Sequence, residues 1–228
     1  MRSTPPATLA SIGVGVVAWL AYLALLSPVA GGKDGGEFVL VLARLGLAHP
    51  TGYPVYTLLG HAFVTALQAT GASYAWAANA FSALGGAVAV ALLHALFARL
   101  LAPTLGGPRA GLVAALALAC VAFNPVWTGE TTLAEITSWH LAWVAGASLA
   151  AWRATRVLAD PAASAASVRT SALAWGLLLG LGAMHHTSSV LFAAPLSVLL
   201  IVTAVRSGRS LAGLAGVAIV GATCPRCR

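Results

Sequence analysis

Residues 9–30 read LASIGVGVVAWLAYLALLSPVA, a stretch without one charged side chain. A helix needs about 20 such residues to cross a ~30 Å hydrocarbon core. The run decides the fold class because it recurs, at 75–101, 110–126, 138–158, 171–184, 187–205 and 210–222. A cleaved signal peptide is the competing reading of the first run, with Ala30 before the cleavage point. The stretch exceeds the ~7–15 residues of a signal core, which favours a retained anchor. Composition agrees: of 228 residues 60% are hydrophobic and 7% charged, where soluble domains carry roughly 25% charge, and the mean hydropathy is +0.91. A soluble domain, a disordered chain and a disulfide scaffold are excluded. The expected fold is all-α: one polytopic membrane domain over 1–228, with about seven transmembrane helices and no internal repeat.

The net charge is +7, yet the basic residues are scattered singly, with no patch interleaved with aromatics, so no nucleic-acid partner is expected. Topology explains the charge better. With the N-terminus inside, Arg2, Arg99, Arg109, Arg153, Arg156, Arg169, Arg206 and Arg209 all fall on the inner side. Only Lys33 and Arg44 fall in the large outer loop, as the positive-inside bias requires. Lys33 is the sole lysine, and the arginine and alanine richness suits a GC-rich bacterial coding sequence. The expected location is therefore a bacterial inner membrane, N-terminus cytoplasmic. Asp34, Glu37, Glu130 and Glu135 then lie outside, in a first outer loop over 31–73 and a second over 127–137. Chemistry is expected on that face.

The first outer loop has internal structure. The segment 31–37 (GGKDGGE) is bracketed by glycines, and 38–47 forms a helix too short to span, with Glu37 and Arg44 on one face. The turn HPTGYP (49–54) breaks it, and 55–70 forms a second short interfacial helix carrying His61. Residues 159–168 read as a short Ala/Ser linker.

Two readings of Asp34 and Glu37 stand together. The D-x-x-E spacing is that of a helix N-cap with a capping box; it also offers a carboxylate near the lipid boundary as a general base. His49 and Tyr53 either belong to a rigid connector or reach a phosphate or sugar hydroxyl. Glu135 and His140 are loop and interfacial groups or, as ionisable residues at a span end, functional ones; their i, i+5 spacing is not that of a helical metal pair. His185 and His186 either cap a span or supply a phosphate contact. His61 and His94 read as packing residues, and Cys120, in mid-span, as core. Cys224 and Cys227 form a C-x-x-C with no βαβ context and no further ligands, which points to a truncated chain end.

Asp34-Gly35-Gly36-Glu37-Phe38, followed by LGLAHPTGYPVYTLLG over 45–60, resembles the first outer loop of a family of multi-spanning membrane glycosyltransferases of the GT-C type. That family includes the eukaryotic transmembrane O-mannosyltransferases of plexin-type receptors and bacterial homologues. Its pattern is D-S-G-E-hydrophobic, then L-G-[VI]-A-H-P-P-G-Y-P. Asn79 with Ser82-Ala83-Leu84, Val126-Trp127 with Ala134-Glu135, and the His185-His186 break match further along. Thr51 departs from the second proline, and Ala77 stands where an arginine often precedes the asparagine. The resemblance implies transfer of a mannose-like sugar from a polyprenyl-phosphate carrier to an acceptor hydroxyl, on a protein or glycan, at the outer side of the membrane. By position it makes Asp34 the catalytic carboxylate with Glu37 beside it. Arg44, His49, Tyr53, Glu135, His140, His185 and His186 would then contact substrate. No cofactor is assigned beyond the lipid-linked sugar donor as substrate; a divalent metal such as Mg²⁺ or Mn²⁺ suits carboxylate and phosphate ligands, but the sequence defines no ligand set. Family members are generally longer, so the chain reads as an N-terminal piece. A non-catalytic multi-pass protein or transporter is the alternative, with the difference that transporters hold ionisable groups near the bilayer midplane.

Overall fold

The structure is a computed structural model that describes residues 5–32, 34–49 and 53–210. The 210–222 run beyond Ser210, the Cys224/Cys227 pair, Lys33 and the Pro50-Thr51-Gly52 tip lie outside the described residues. Nine helices make up the described chain: α1 (Pro5–Ala24), α2 (Gly35–Arg44), α3 (Pro54–Gln68), α4 (Tyr74–Leu105), α5 (Gly107–Ala122), α6 (Pro125–Thr132), α7 (Thr137–Ala159), α8 (Ala165–His185) and α9 (Ser189–Arg206). The chain divides into two compact units, Met1–Ala145 and Gly146–Arg228.

In the first unit α4 is the axis, packed by α1, α2, α3, α5 and α6. Its middle is built from Ala77, Ala78, Ala80, Ala83, Gly85, Gly86, Ala87 and Ala89, all buried, which lets neighbouring backbones approach closely. A Cβ at Gly86 would run into the Thr131 side chain, and one at Gly85 would stand 2.8 Å from the Trp139 ring. Ser73 caps α4 by accepting the Trp76 N–H, and Gly106, at φ 77°, turns the chain into α5. Polar ties fasten α1 to this core. His94 Nε2 donates to the Gly111 carbonyl (3.1 Å), which leaves Nδ1 of the neutral ring to accept from the Ser11 hydroxyl (2.9 Å). The Tyr22 hydroxyl donates to the Ala122 carbonyl (3.1 Å) and accepts from Trp127 Nε1 (2.8 Å). α5 and α6 meet at a 75° bend, where Asn124 caps the new helix through the Val126 N–H and Pro125 opens it.

In the second unit, α8 and α9 pack together with a Trp175 Nε1 to Ser197 hydroxyl bond (3.2 Å). Between them His186 Nδ1 accepts the Ser188 N–H (3.1 Å). Arg209 donates to the Asp160 carbonyl (2.7 Å).

The chain is thus an all-α protein with membrane-spanning character, but the described residues give fewer spans than the apolar runs suggest. α4, α8 and α9 are long and apolar enough to cross a membrane, and α5 with α6 makes a fourth if the bent pair is one span. α1 stops at Ala24 because Ser27-Pro28 ends it, so residues 25–30 are apolar without being helical. α7 has length, but Arg153, Arg156 and its hydroxyls dilute it. The expected Ala/Ser linker shortens to 160–164, since Ser164 caps α8 through the Ser167 N–H. Cys120 is not core: it is exposed on α5.

Candidate active site on the α2–α3 loop

The site begins with how α2 ends. Leu45 adopts the left-handed conformation (φ 52°), the Gly46 N–H returns to the Val41 carbonyl (3.0 Å), and the chain doubles back along the helix. That reversal carries His49 to the first turn of α2. There the Glu37 carboxylate accepts both the His49 backbone N–H (2.6 Å) and its Nδ1–H (3.1 Å). Asp34 does occupy the N-cap position, but its side chain makes no cap hydrogen bond, and Glu37 is engaged by His49 rather than by the cap backbone. The capping box is therefore not formed. The Asp34 carboxylate is exposed and takes no hydrogen bond among the described residues.

Tyr53 extends the chain of contacts. It precedes Pro54 at the start of α3, itself left-handed (φ 44°), and its hydroxyl lies 3.2 Å from His49 Nε2. With Nδ1 donating to Glu37, a neutral His49 presents Nε2 to that phenol as an acceptor. Beneath them Phe38, 1% exposed, holds the rings of His49, Tyr53 and Tyr56 at 5.8, 5.9 and 5.4 Å. Tyr56 packs tilted against Phe81, and Phe81 against Trp139 at 4.8 Å. The polar relay thus rests on an aromatic floor continuous with the unit's core.

The hydrogen bonds from the His49 backbone and ring hold the Glu37 carboxyl below the usual carboxylate range. Burial pushes the Tyr53 phenol up, and the charges of Asp34, Glu37 and Glu135 push it the same way. Three acids from two loops therefore act on one hydroxyl. Glu135 arrives there because Ser82 and Asn79 of α4 bind the backbone of Ala134–Glu135. Neither was singled out as a site residue from the sequence, where their only signal was a place in the matching pattern. Asp34, Glu37 and His49 each offer a ligand atom, and these atoms lie within 4.8 Å of one another. Two carboxylates and an imidazole suit a divalent cation, but one taking all three would displace the Glu37–His49 hydrogen bond.

The remaining candidates lie on other elements. Arg44 is exposed in the last turn of α2, about 10 Å of helical rise from Glu37. His140 is in the first turn of α7, stacked on Trp143 at 5.9 Å. His185 and His186 belong to the second unit, His185 buried at the end of α8 and His186 in the following break; burial holds the His186 imidazole below its ordinary range. His61 and His94 bind backbone or a neighbouring hydroxyl, in keeping with packing roles, His61 through the Leu42 carbonyl (2.7 Å).

Comparison with known proteins bears on this loop directly. Residues 34–209 match the family described as the protein O-mannosyl-transferase TMEM260 N-terminal domain. The chain is 34% identical over 67 residues to the protein O-mannosyl-transferase tmem260 of Dictyostelium discoideum, covering 29% of this chain and 8% of that protein. It is 40% identical over 76 residues to protein O-mannosyl-transferase TMEM260 of Mus musculus, covering 33% of this chain and 10% of that protein. The matched stretches are thus about a tenth of those relatives' length. No solved structure matches. Since the family match begins at Asp34 and takes in the whole relay and α3 to α9, the chain belongs to the TMEM260 N-terminal domain family of protein O-mannosyl-transferases.

Proposed function

We propose that the chain forms the catalytic face of a GT-C-type glycosyltransferase. It moves a mannose-like sugar from a polyprenyl-phosphate carrier to an acceptor hydroxyl, on a protein or glycan, at the outer side of a bacterial plasma membrane. The observation that carries this reading is the exposed Asp34 carboxylate, free of any capping bond, beside a Glu37–His49–Tyr53 relay. A base must be accessible and uncommitted. Asp34 takes the acceptor's proton, the acceptor oxygen attacks the anomeric carbon, and the bond from that carbon to the phosphate oxygen breaks. The electron pair leaves with the polyprenyl phosphate, and a single displacement inverts the configuration. Glu37 fixes the His49 ring, and His49 and Tyr53 meet the phosphate or a sugar hydroxyl. Arg44, Glu135 and His140 take the remaining substrate contacts of the first unit, and His185 and His186 offer phosphate contacts in the second. A divalent cation held by Asp34, Glu37 and His49 would supply charge neutralisation for the phosphate in place of the Glu37–His49 hydrogen bond, and Asp34 would then not be the free base. Seven spans with a cytoplasmic N-terminus put both outer loops on the same side.

The test is reconstitution of the full chain in lipid vesicles with a β-linked polyprenyl-phosphate mannose and a threonine-containing acceptor peptide. An α-linked product supports the reading. A β-linked product would mean a double displacement and overturn the role given to Asp34; absence of transfer from folded protein counts against the activity itself.

A further inference from the structure

Asn79 and Ser82 stand three residues apart on one face of α4, both completely buried, and both spend their side chains on the backbone of other segments. Asn79 Nδ2 donates to the Ser27 carbonyl (2.8 Å) and the Val29 carbonyl (3.1 Å), while its Oδ1 accepts the Ala134 N–H (2.8 Å). The Ser82 hydroxyl accepts the Glu135 N–H (3.0 Å) and donates to the Glu135 carbonyl (3.1 Å). Two adjacent side chains therefore fix consecutive backbone groups of the link between α6 and α7, and two carbonyls where the chain leaves α1. Both segments are irregular, with no helical ladder to satisfy them. In lipid such backbone persists only where protein groups take its hydrogen bonds.

The anchored segment reaches the site. The Ala134 carbonyl lies 3.6 Å from where a Cβ on Gly35 would stand, so the link touches the first turn of α2, next to Asp34. The backbone of Glu135 is held, while its side-chain charge reaches the Tyr53 hydroxyl. We propose that Asn79 and Ser82 are positioning residues of the transferase, a buried clamp on α4 that holds Glu135 of the second outer loop against the first turn of α2 and so sets its place opposite Asp34. This rests on the transferase reading above. Only an asparagine fits the first position: aspartate has no N–H to give the two carbonyls, and glutamine carries its amide one methylene too far.

The experiment is a double-mutant cycle in the full chain, reconstituted in vesicles with polyprenyl-phosphate mannose and a threonine-containing peptide. Ser82→Ala and Asn79→Asp are each measured alone and with Glu135→Gln. Ser82→Ala is the milder change, so it keeps the test decisive should Asn79→Asp fail to fold. Each is expected to lower kcat by about 10- to 100-fold, the loss that a shift of ~1 Å produces, with KM little changed. On the Glu135→Gln background the further loss is expected to be under about 3-fold, because the clamp has nothing left to position. Losses that multiply independently, or full transfer by Ser82→Ala, would overturn the proposal. A second measurement needs no transfer: nitroxides on Gly36→Cys and Glu135→Cys, in a chain otherwise free of cysteine, report the spacing of the two loops by dipolar broadening. A narrow distribution that widens in Ser82→Ala supports the clamp; an unchanged one overturns it. Absence of transfer by the folded, unsubstituted chain would instead remove the transferase reading, while the nitroxide result would still decide whether α4 holds the loops together.

Discussion

Asp34→Asn separates a structural from a catalytic carboxylate in one substitution. The side chain keeps its size, and the structure shows what it would lose: no cap hydrogen bond and no packed contact, because the residue is exposed and uncapped in an α-like conformation (φ −83°, ψ −7°). What remains is the attraction of a negative charge to the N-terminus of a ten-residue helix, worth at most ~0.5 kcal/mol at an exposed position in salt. For a chain of this length that is a melting-temperature shift of about 1–2 °C. Loss of a general base lowers transfer by ~10²–10⁴-fold, or about 3–5 kcal/mol in barrier. The assay is transfer from polyprenyl-phosphate mannose under saturating donor, alongside thermal unfolding in detergent. Asp34→Glu is the companion: it keeps a carboxylate but moves it by ~1.5 Å, so transfer should fall less than in Asp34→Asn. Near-normal transfer by a well-folded Asp34→Asn protein would refute the assignment and move the search to Glu37 and Glu135.

Three further outcomes follow from the geometry. Gly86→Val forces a side chain into the buried Thr131 and should cost ~1–3 kcal/mol, read as a lowered melting temperature, whereas Gly36→Ala, with open space around it, should not. The depressed Glu37 pKa makes its closure on His49 fully present above its ordinary value of 4.5 and lost as pH falls through the lower folded value. A titration step below pH 4.5 should therefore appear in the His49 amide resonance, and Glu37→Gln should abolish that step. Reporter fusions after Thr70 and Arg156 should read external and cytoplasmic respectively; the reverse pair would put the acids on the wrong side.

The short helices of the first loop were legible because local chemistry sets them, Tyr53-Pro54 at the start of α3 above all, although α2 runs over Gly35–Arg44 and takes in two of the glycines expected to precede it. The partner of Glu37 was not. The D-x-x-E spacing points to a capping box, and only the left-handed turn at Leu45, invisible in a leucine, brings His49 twelve residues back onto the helix. The same limit applies to Cys120. On α5 the buried stripe is Ala114, Leu118 and Ala122, while Val113 and Leu116 share the exposed face with Cys120. Both faces are apolar, so no periodicity distinguishes them. The end of α1 was hidden for a related reason: hydropathy registers 25–30 as continuous with it, but Ser27-Pro28 does not let that stretch be helical, and its carbonyls pass to Asn79. Asp34, Glu37, His49 and Tyr53 could be named from the sequence; the order of the last three in a relay came from packing on Phe38.

The polar ties on α1 also set an order of assembly. Ser11 waits for His94, 83 positions later, and the Tyr22 hydroxyl waits for the Ala122 carbonyl, 100 positions later. A ribosome adding ~5–20 residues per second needs about 5–20 s to make that interval. Throughout it, α1 carries two hydroxyls without their native partners, in surroundings where a polar group alone is costly. α1 is therefore sealed only when the α4–α5 hairpin arrives and supplies a histidine near one end and a carbonyl near the other. A defect in that hairpin, such as His94→Leu, would register as a failure of the first helix to stay docked, long after its own synthesis was complete.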